Sequence, residues 1–422
     1  MEMSSLIDDL GVTEFGQSYL KSELQTLVKF AKGSLSASGG FGYLNADGSV
    51  NYSKPLELWI NCRMTHLLGL ATALEIGDFR KEVEHGVNAL LDIFEDKKNG
   101  GFFNSCHSDG TPSNDKKLAY DQSFVLLTAS TAWAIGVARA EILFNKVDAI
   151  IDEFFWDPKY ELMVNEWNAD FSILAPYRGV NANMHAVEAF CAVYELTGTQ
   201  KYLDRAHSIC KSVVNNFSRQ NNWMLPEHFN ERWEVLKDYN VDNPADPFCP
   251  YGVTIGHLFE WARLILQIQL LLRESDDTSW ILEAATRMYE LGSTYGWAPD
   301  GAEGFIYTMD WNKKPVVTSR MHWVAAEATM TAYTMWYFTK DNQYISDYNK
   351  WWQYIDTYVI DRKFGSWNSE LNPNQEVVEF TWPGKPDTYH AVNACLLPIF
   401  PMSASFLGLA LKNNLQKSSK NL

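Results

Sequence analysis

Six short clusters of ionisable residues recur along this chain, each near the start of an otherwise apolar helical run. Arg63 stands in LWINCRMTHLLGLA, Tyr120 and Asp121 in KKLAYDQSFVLLTA, and His185 and Glu188 in VNANMHAVEAF. His257 and Glu260 stand in TIGHLFEWARLIL, His322 and Glu327 in MHWVAAEATMTAY, and Asp387 and His390 in DTYHAVNACLL. A single histidine in such a run reads as a hydrogen-bonded core residue. Six clusters at one helical position read instead as a polar ring around a shared cavity. Glu188 and Glu260 each follow a histidine by three residues, on the same helix face. That spacing could also ligate a metal, but no HExxH motif or Cys/His cluster supplies further ligands, so no metal is expected.

The residue types suggest the chemistry. Glycosidases need two carboxylates as acid and nucleophile or base. Here four of the six clusters carry a histidine, with Arg63 as a fixed cation. Histidine pairs suit proton transfer at a carbon acid beside a carbonyl, where one group takes a proton and another returns it. An arginine near the carbonyl oxygen stabilises the enediolate that develops. The ring therefore favours isomerisation or epimerisation of a sugar over its hydrolysis.

Such a ring needs helices to hold it. Helix-period apolar patterns recur at 14–32, 55–76, 79–95, 117–139, 141–155, 180–197, 199–217, 252–274, 278–294, 319–339, 341–359 and 387–411. Between them lie six short aromatic runs with polar turns: GFGYLNADGSV, GGFFNSCHSDG, ELMVNEWNAD, WMLPEHFNERW, GFIYTMDWNKKP and GSWNSELNPN. The unit is helix, long loop, helix, short connection, repeated six times, which implies one closed array. We expect an all-α fold, a single (α/α)6 barrel of six helical hairpins over residues 1–422, with the strand-like loops at one end. The helices after the long loops, apolar nearly all round, should form the inner ring. The terminal LKNNLQKSSKNL should fray.

Composition agrees with an enzyme of small molecules. The chain has 422 residues, 46% hydrophobic, enough for a large core. A formal charge of −17, with no long basic run, argues against nucleic acid or anionic membrane as partner. No apolar run approaches the roughly 20 residues of a membrane span. The N-terminal MEMSSLIDDLGVTEF lacks a signal-peptide pattern. Cys62, Cys106, Cys191, Cys210, Cys249 and Cys395 form no CxxC pair and read as reduced thiols of a cytoplasmic protein.

Four stretches, YRGVNANMHAVEAF, GHLFEWARL, WAPDGAEGFIYTMDWNKKPVV and PDTYHAVNACLLP, resemble the N-acylglucosamine 2-epimerase superfamily, and most nearly its aldose–ketose isomerase branch. The resemblance runs over nearly the whole chain and implies the (α/α)6 barrel. It implies that His257 and His390 are the catalytic acid and base around a cis-enediolate, after opening of the pyranose ring, without metal or nicotinamide. It implies substrate-contacting or histidine-orienting roles for Arg63, Tyr120, Asn181, His185 and Glu260. Glu327, Trp323 and Trp59 match cavity-lining positions, and Asp387 completes the ring as a supporting group. Where the branch's sulfoquinovose isomerase carries an arginine and a glutamine that hold the sulfonate, this chain has Pro247 and Pro386, which offer neither a charge nor an N–H. The expected reaction is therefore D-mannose to D-fructose, with D-lyxose to D-xylulose beside it. A sugar 2-epimerase, a sulfoquinovose isomerase, a carboxylate glycosidase and a non-catalytic sugar-binding protein remain the alternatives. The substrate class is a small monosaccharide; the sequence leaves the oligomeric state open.

Overall fold

The computed structural model of the chain describes residues 15–420; the signal-pattern reading of the first fifteen residues falls almost wholly outside them. Thirteen α-helices are present among the described residues. They are α1 (Gln17–Lys32), α2 (Leu58–Ala73), α3 (Arg80–Ala89), α4 (Ala119–Ala134), α5 (Ala140–Ile150), α6 (Val180–Thr197) and α7 (Gln200–Cys210). There follow α8 (Ile255–Ile268), α9 (Ile281–Gly296), α10 (His322–Thr339), α11 (Asn342–Tyr354), α12 (Tyr389–Ile399) and α13 (Phe406–Lys420).

The even-numbered helices α2 to α12 form the inner ring. Each packs on the next, and α12 returns to α2. Every residue of α2, α8 and α12 is buried, as an element packed on all sides demands. The outer helices are amphipathic. In α7 the buried residues Tyr202, Leu203, Ala206, Ile209 and Cys210 line one face at helical spacing. Helix α1 closes the outer ring against α12 and α2. The hydrophobic core fills the space between the rings, where each fully buried Leu or Ile contributes about 1.5–3 kcal/mol.

The long loops interlock at one end. A two-residue strand precedes each of α2, α4, α6, α8 and α10 and pairs antiparallel with a strand of the next long loop. The registers are Leu56↔Cys106, Lys117↔Trp167, Arg178↔Phe229, Val253↔Met309 and Arg320↔Leu371. The N-terminal turns of the inner helices, which carry the ionisable clusters, are thereby held at that end.

Two expectations at the C-terminus are corrected. The run 387–411 is two helices, because Phe400 ahead of Pro401 is extended (φ −117°, ψ 163°) and a residue before proline is kept from the helical region. Within LKNNLQKSSKNL, the described residues 411–420 do not fray but continue as helix to Lys420. Helix α13 packs on α2 and α6, and Asn414 donates to the carbonyl of Ala73 at the end of α2, so it covers the end opposite the loops. All six cysteines are free thiols. Among the described residues no helix is long and apolar enough to cross a membrane.

Candidate active site

The loop end opens into a cavity of about 600 Å³, counting its mouth. Of the residues singled out from sequence, Trp59, Arg63, Tyr120, Asn181, His185, His257, Glu260, Trp323, Asp387 and His390 all line it. The six inner helices, or the residues just before them, thus converge on one space. Asp121 does not reach it; its carboxylate accepts from Asn104 at 2.9 Å.

Arg63 organises one wall. Its Nη1 donates to Asp387 Oδ2 at 3.0 Å and its Nη2 to the Tyr120 hydroxyl at 3.0 Å. The guanidinium lies 4.6 Å from the ring centre of Phe124 and 5.3 Å from that of Trp59. Burial alone would raise the Asp387 carboxyl. Arg63, helped by His390 and His322, outweighs it and holds the group down to about 2.

Each histidine is oriented by a different group. His390 Nδ1 lies 3.0 Å from Glu327 Oε1, and its Nε2 is 3.6 Å from Asp387 Oδ2. His257 Nδ1 lies 2.9 Å from Glu227 Oε1. His185 Nδ1 lies 2.7 Å from Glu188 Oε2, the three-residue spacing read from sequence. An ionised carboxylate only accepts, so in each pair the proton sits on Nδ1 and Nε2 is left for the cavity. Burial pushes His185 down to about 4. Glu188 is held down to about 2, because His185 and Arg263 overcome its burial. Trp323 stands between the other two imidazoles, its ring centre 5.3 Å from that of His257 and 5.7 Å from that of His390. Gly256 makes room for it: a Cβ there would come within 2.1 Å of the indole.

Two roles read from sequence are corrected. Glu327 does not line the cavity. It is fully buried behind His390, with its second oxygen on Arg263 Nε at 3.0 Å. Glu260, which shares a helix face with His257, does not orient it; Glu227 does. Both Glu260 oxygens are buried without a hydrogen-bond partner, and burial together with the charges of Glu327 and Glu188 pushes its carboxyl well up. His66 of α2 is buried among the inner helices, its Nδ1 2.8 Å from Thr131 Oγ1 of α4.

Sequence reasoning missed Glu227, although a carboxylate inside the apolar run WMLPEHF was its signal. His322, counted in the polar ring but given no role there, does line the cavity. His322 Nδ1 lies 3.2 Å from the carbonyl of Ser369, and its buried Nε2, on the cavity wall, has no partner. Pro247, Phe248 and Pro250 bring a loop over the cavity, and Trp382 and Pro386 complete its rim. His185, Glu188 and Glu260 offer ligand atoms within 4.8 Å of one another. Arg263 Nη2, however, stands 3.6 and 3.7 Å from Glu188 and Glu260, supplying the positive charge a metal ion would bring.

The family model of N-acylglucosamine 2-epimerase (GlcNAc 2-epimerase) matches residues 39–394. The chain belongs to this family. Within it, the chain is 39% identical over 393 residues to a D-mannose isomerase of Thermobifida fusca, covering 93% of this chain and 96% of that protein. It is 38% identical over 389 residues to the D-mannose isomerase of Pseudomonas cannabina pv. alisalensis, covering 92% and 93%. A solved D-mannose isomerase superposes with a TM-score of 0.85 at 26% identity, over 92% of this chain and 98% of that one. A cellobiose 2-epimerase of Spirochaeta thermophila, at 19% identity and a TM-score of 0.77 over 91% and 96%, shares the fold. The barrel expected from the helical repeat is the family's architecture.

Proposed function

We propose that this protein is a metal-independent aldose–ketose isomerase that interconverts D-mannose and D-fructose, with D-lyxose and D-xylulose as a second pair. The carrying observation is the pair of imidazoles, His257 and His390, each with its own carboxylate behind it and both beside Trp323 in one cavity. Relatives named D-mannose isomerase support the choice of sugar. Six free thiols suit a reducing compartment, the cytoplasm. One catalytic domain spanning the chain would carry the reaction.

In this reading His257 opens the pyranose, moving the O1 proton to the ring oxygen. His390, through Nε2, then takes the proton from C2. The electron pair moves onto the carbonyl oxygen at C1, giving a cis-enediolate whose charge faces the Arg63 side. The proton returns to C1 as the O2 proton passes to O1, and the ketose forms. Glu327 and Glu227 hold the two rings so that Nε2 faces the sugar. Arg63, Tyr120, Asn181, His185, Glu260, His322 and Asp387 bind or orient, and Trp59 and Trp323 pack on the ring. Pro247 and Pro386 on the cavity wall leave a sulfonate without the two partners it needs, so mannose is preferred to sulfoquinovose.

Incubation with mannose in deuterated water, read by NMR, tests this. Fructose carrying solvent deuterium at C1 is expected. Glucose as the main product would make the protein a 2-epimerase, and binding without turnover would make it a sugar-binding protein. A higher kcat/KM for sulfoquinovose than for mannose would overturn the argument from the prolines.

A further inference from the structure

Arg263 does not line the cavity, yet three carboxylates that serve its walls converge on it. Nε donates to Glu327 Oε2 at 3.0 Å, while Nη2 stands 3.6 Å from Glu188 Oε1 and 3.7 Å from Glu260 Oε1. The other oxygens of two of these carboxylates hold imidazoles: Glu327 Oε1 takes His390 Nδ1 and Glu188 Oε2 takes His185 Nδ1. Behind, Nη1 donates to Gln267 Oε1 at 2.8 Å, and Gln267 Nε2 donates to the carbonyl of Ser403 at 2.9 Å. The Phe406 ring lies 5.8 Å from the guanidinium. A smaller cavity, walled by His66, Glu188, Arg263, Tyr389, Ser405 and Phe406, lies on that side.

We propose that Arg263 is a positioning residue for the isomerisation: it sets His390 and His185 from behind by fixing Glu327 and Glu188, and the segment before α13 seats it through Gln267. Its part in turnover rests on the isomerase reading above; its part in histidine orientation does not. One buried guanidinium cannot balance three ionised carboxylates. Glu188 and Glu327, each with a second donor on an imidazole, stay ionised. Glu260, with no hydrogen-bond partner, is the one pushed toward its neutral form. The division assigns two carboxylates to histidines and leaves one free toward the sugar. The ionisable groups facing this centre are Arg63 and His66 from α2, His185 and Glu188 from α6, and Glu260 from α8. Glu327 faces it from α10, and Tyr389 and His390 from α12.

The test is Arg263→Met, with Arg263→Gln as the second neutral variant should the first fail to fold and Arg263→Lys as the conservative one. In a neutral variant that folds by circular dichroism, kcat for mannose should fall about a hundredfold with KM little changed, since orientation rather than binding is lost. The acid limb of its kcat–pH profile should move up by about one unit, because a nearby cation has gone. Arg263→Lys should keep the wild-type acid limb while losing part of kcat. Nitrogen-15 NMR of labelled histidine, on enzyme without sugar, should show His390 losing its single Nδ1–H tautomer in the neutral variants. Wild-type kcat, acid limb and His390 signals in a folded neutral variant would overturn the proposal. If instead the wild type turns over no aldose but the His390 signals change, the isomerase reading falls and the positioning role stands.

Discussion

Arg63 and Asp387 form an ion pair at 3.0 Å that ties the first inner helix to the residue just ahead of the last. The pair closes the ring at its seam, and both side chains are nearly buried. Its carboxyl is held down to about 2 despite burial, so the linked stability has a definite sign. It is fully present above the ordinary aspartate range and is lost as pH falls through about 2. From the size of that depression the contribution is roughly 2 kcal/mol. Asp387→Asn should cost roughly 3 kcal/mol near neutral pH, because Arg63 is left buried without its counter-ion. Its urea midpoint should also depend less on pH than that of the wild type between pH 5 and 2.5. Parallel slopes for the two proteins would remove Asp387 as the source.

His322 should act on binding. Its backbone N–H and its Nδ1 both meet the carbonyl of Ser369, so the ring is held with a bare Nε2 on the cavity wall. A neutral imidazole protonated on Nδ1 can only accept at Nε2, and a sugar hydroxyl is the donor the site would supply. Burial pushes His322 down, which favours that neutral form. His322→Leu should therefore raise KM for mannose roughly tenfold, with a smaller change in kcat, in line with one lost hydrogen bond and an unpaired hydroxyl. A KM equal to wild type in steady-state kinetics would show that no hydroxyl reaches this nitrogen.

The sequence made the architecture readable because its two periods are strong: the apolar helical repeat and the aromatic loop between hairpins. The site was readable for a related reason. An ionisable residue such as His185 or His257 contrasts sharply with an apolar inner helix, and the spacing of His185 and Glu188 already put donor and acceptor on one face. What pairs across helices was not readable. His257 and Glu260 have the same three-residue spacing as His185 and Glu188, yet Glu260 turns to Arg263 and the partner of His257 arrives from a loop thirty residues earlier. Arg263 looked like an ordinary helix residue because only Glu260, three residues before it, is local; Glu188 and Glu327 come from other helices. The break in the last helix was legible at Pro401, but the apolar period ran through it.

Glu227 should matter through His257 alone. It lies next to the strand His228–Phe229 and reaches His257 Nδ1 at 2.9 Å. Glu227→Gln keeps the shape but can offer an amide N–H instead of a carboxylate oxygen, so the Nδ1–H tautomer is no longer enforced. Activity on mannose should drop about a hundredfold or less, with the fold and the melting temperature little altered. A fully active, folded Glu227→Gln enzyme would mean that the orientation of His257 is set elsewhere.

His257 and His390 should separate when ring opening and proton transfer are measured independently. His390 sits between Glu327 and Asp387, on the side where Arg63 can receive the enediolate charge, whereas His257 and its Glu227 lie across Trp323. His390→Asn should fold and still bind mannose, and it should lose isomerisation by roughly a hundredfold or more, as removal of a general base does. It should nevertheless still speed the interconversion of α- and β-mannose, which needs only the opening and closing of the ring. His257→Asn should lose both activities, since a closed pyranose presents no acidic C2 proton to His390. Polarimetry on freshly dissolved α-mannose gives the first rate, and deuterium uptake at C2 of mannose and C1 of fructose gives the second. The assignment fails if His390→Asn loses anomer interconversion while keeping deuterium uptake. If a folded His390→Asn enzyme keeps both, the base is elsewhere, and His185, with Glu188 on its Nδ1, is the next imidazole on the cavity wall.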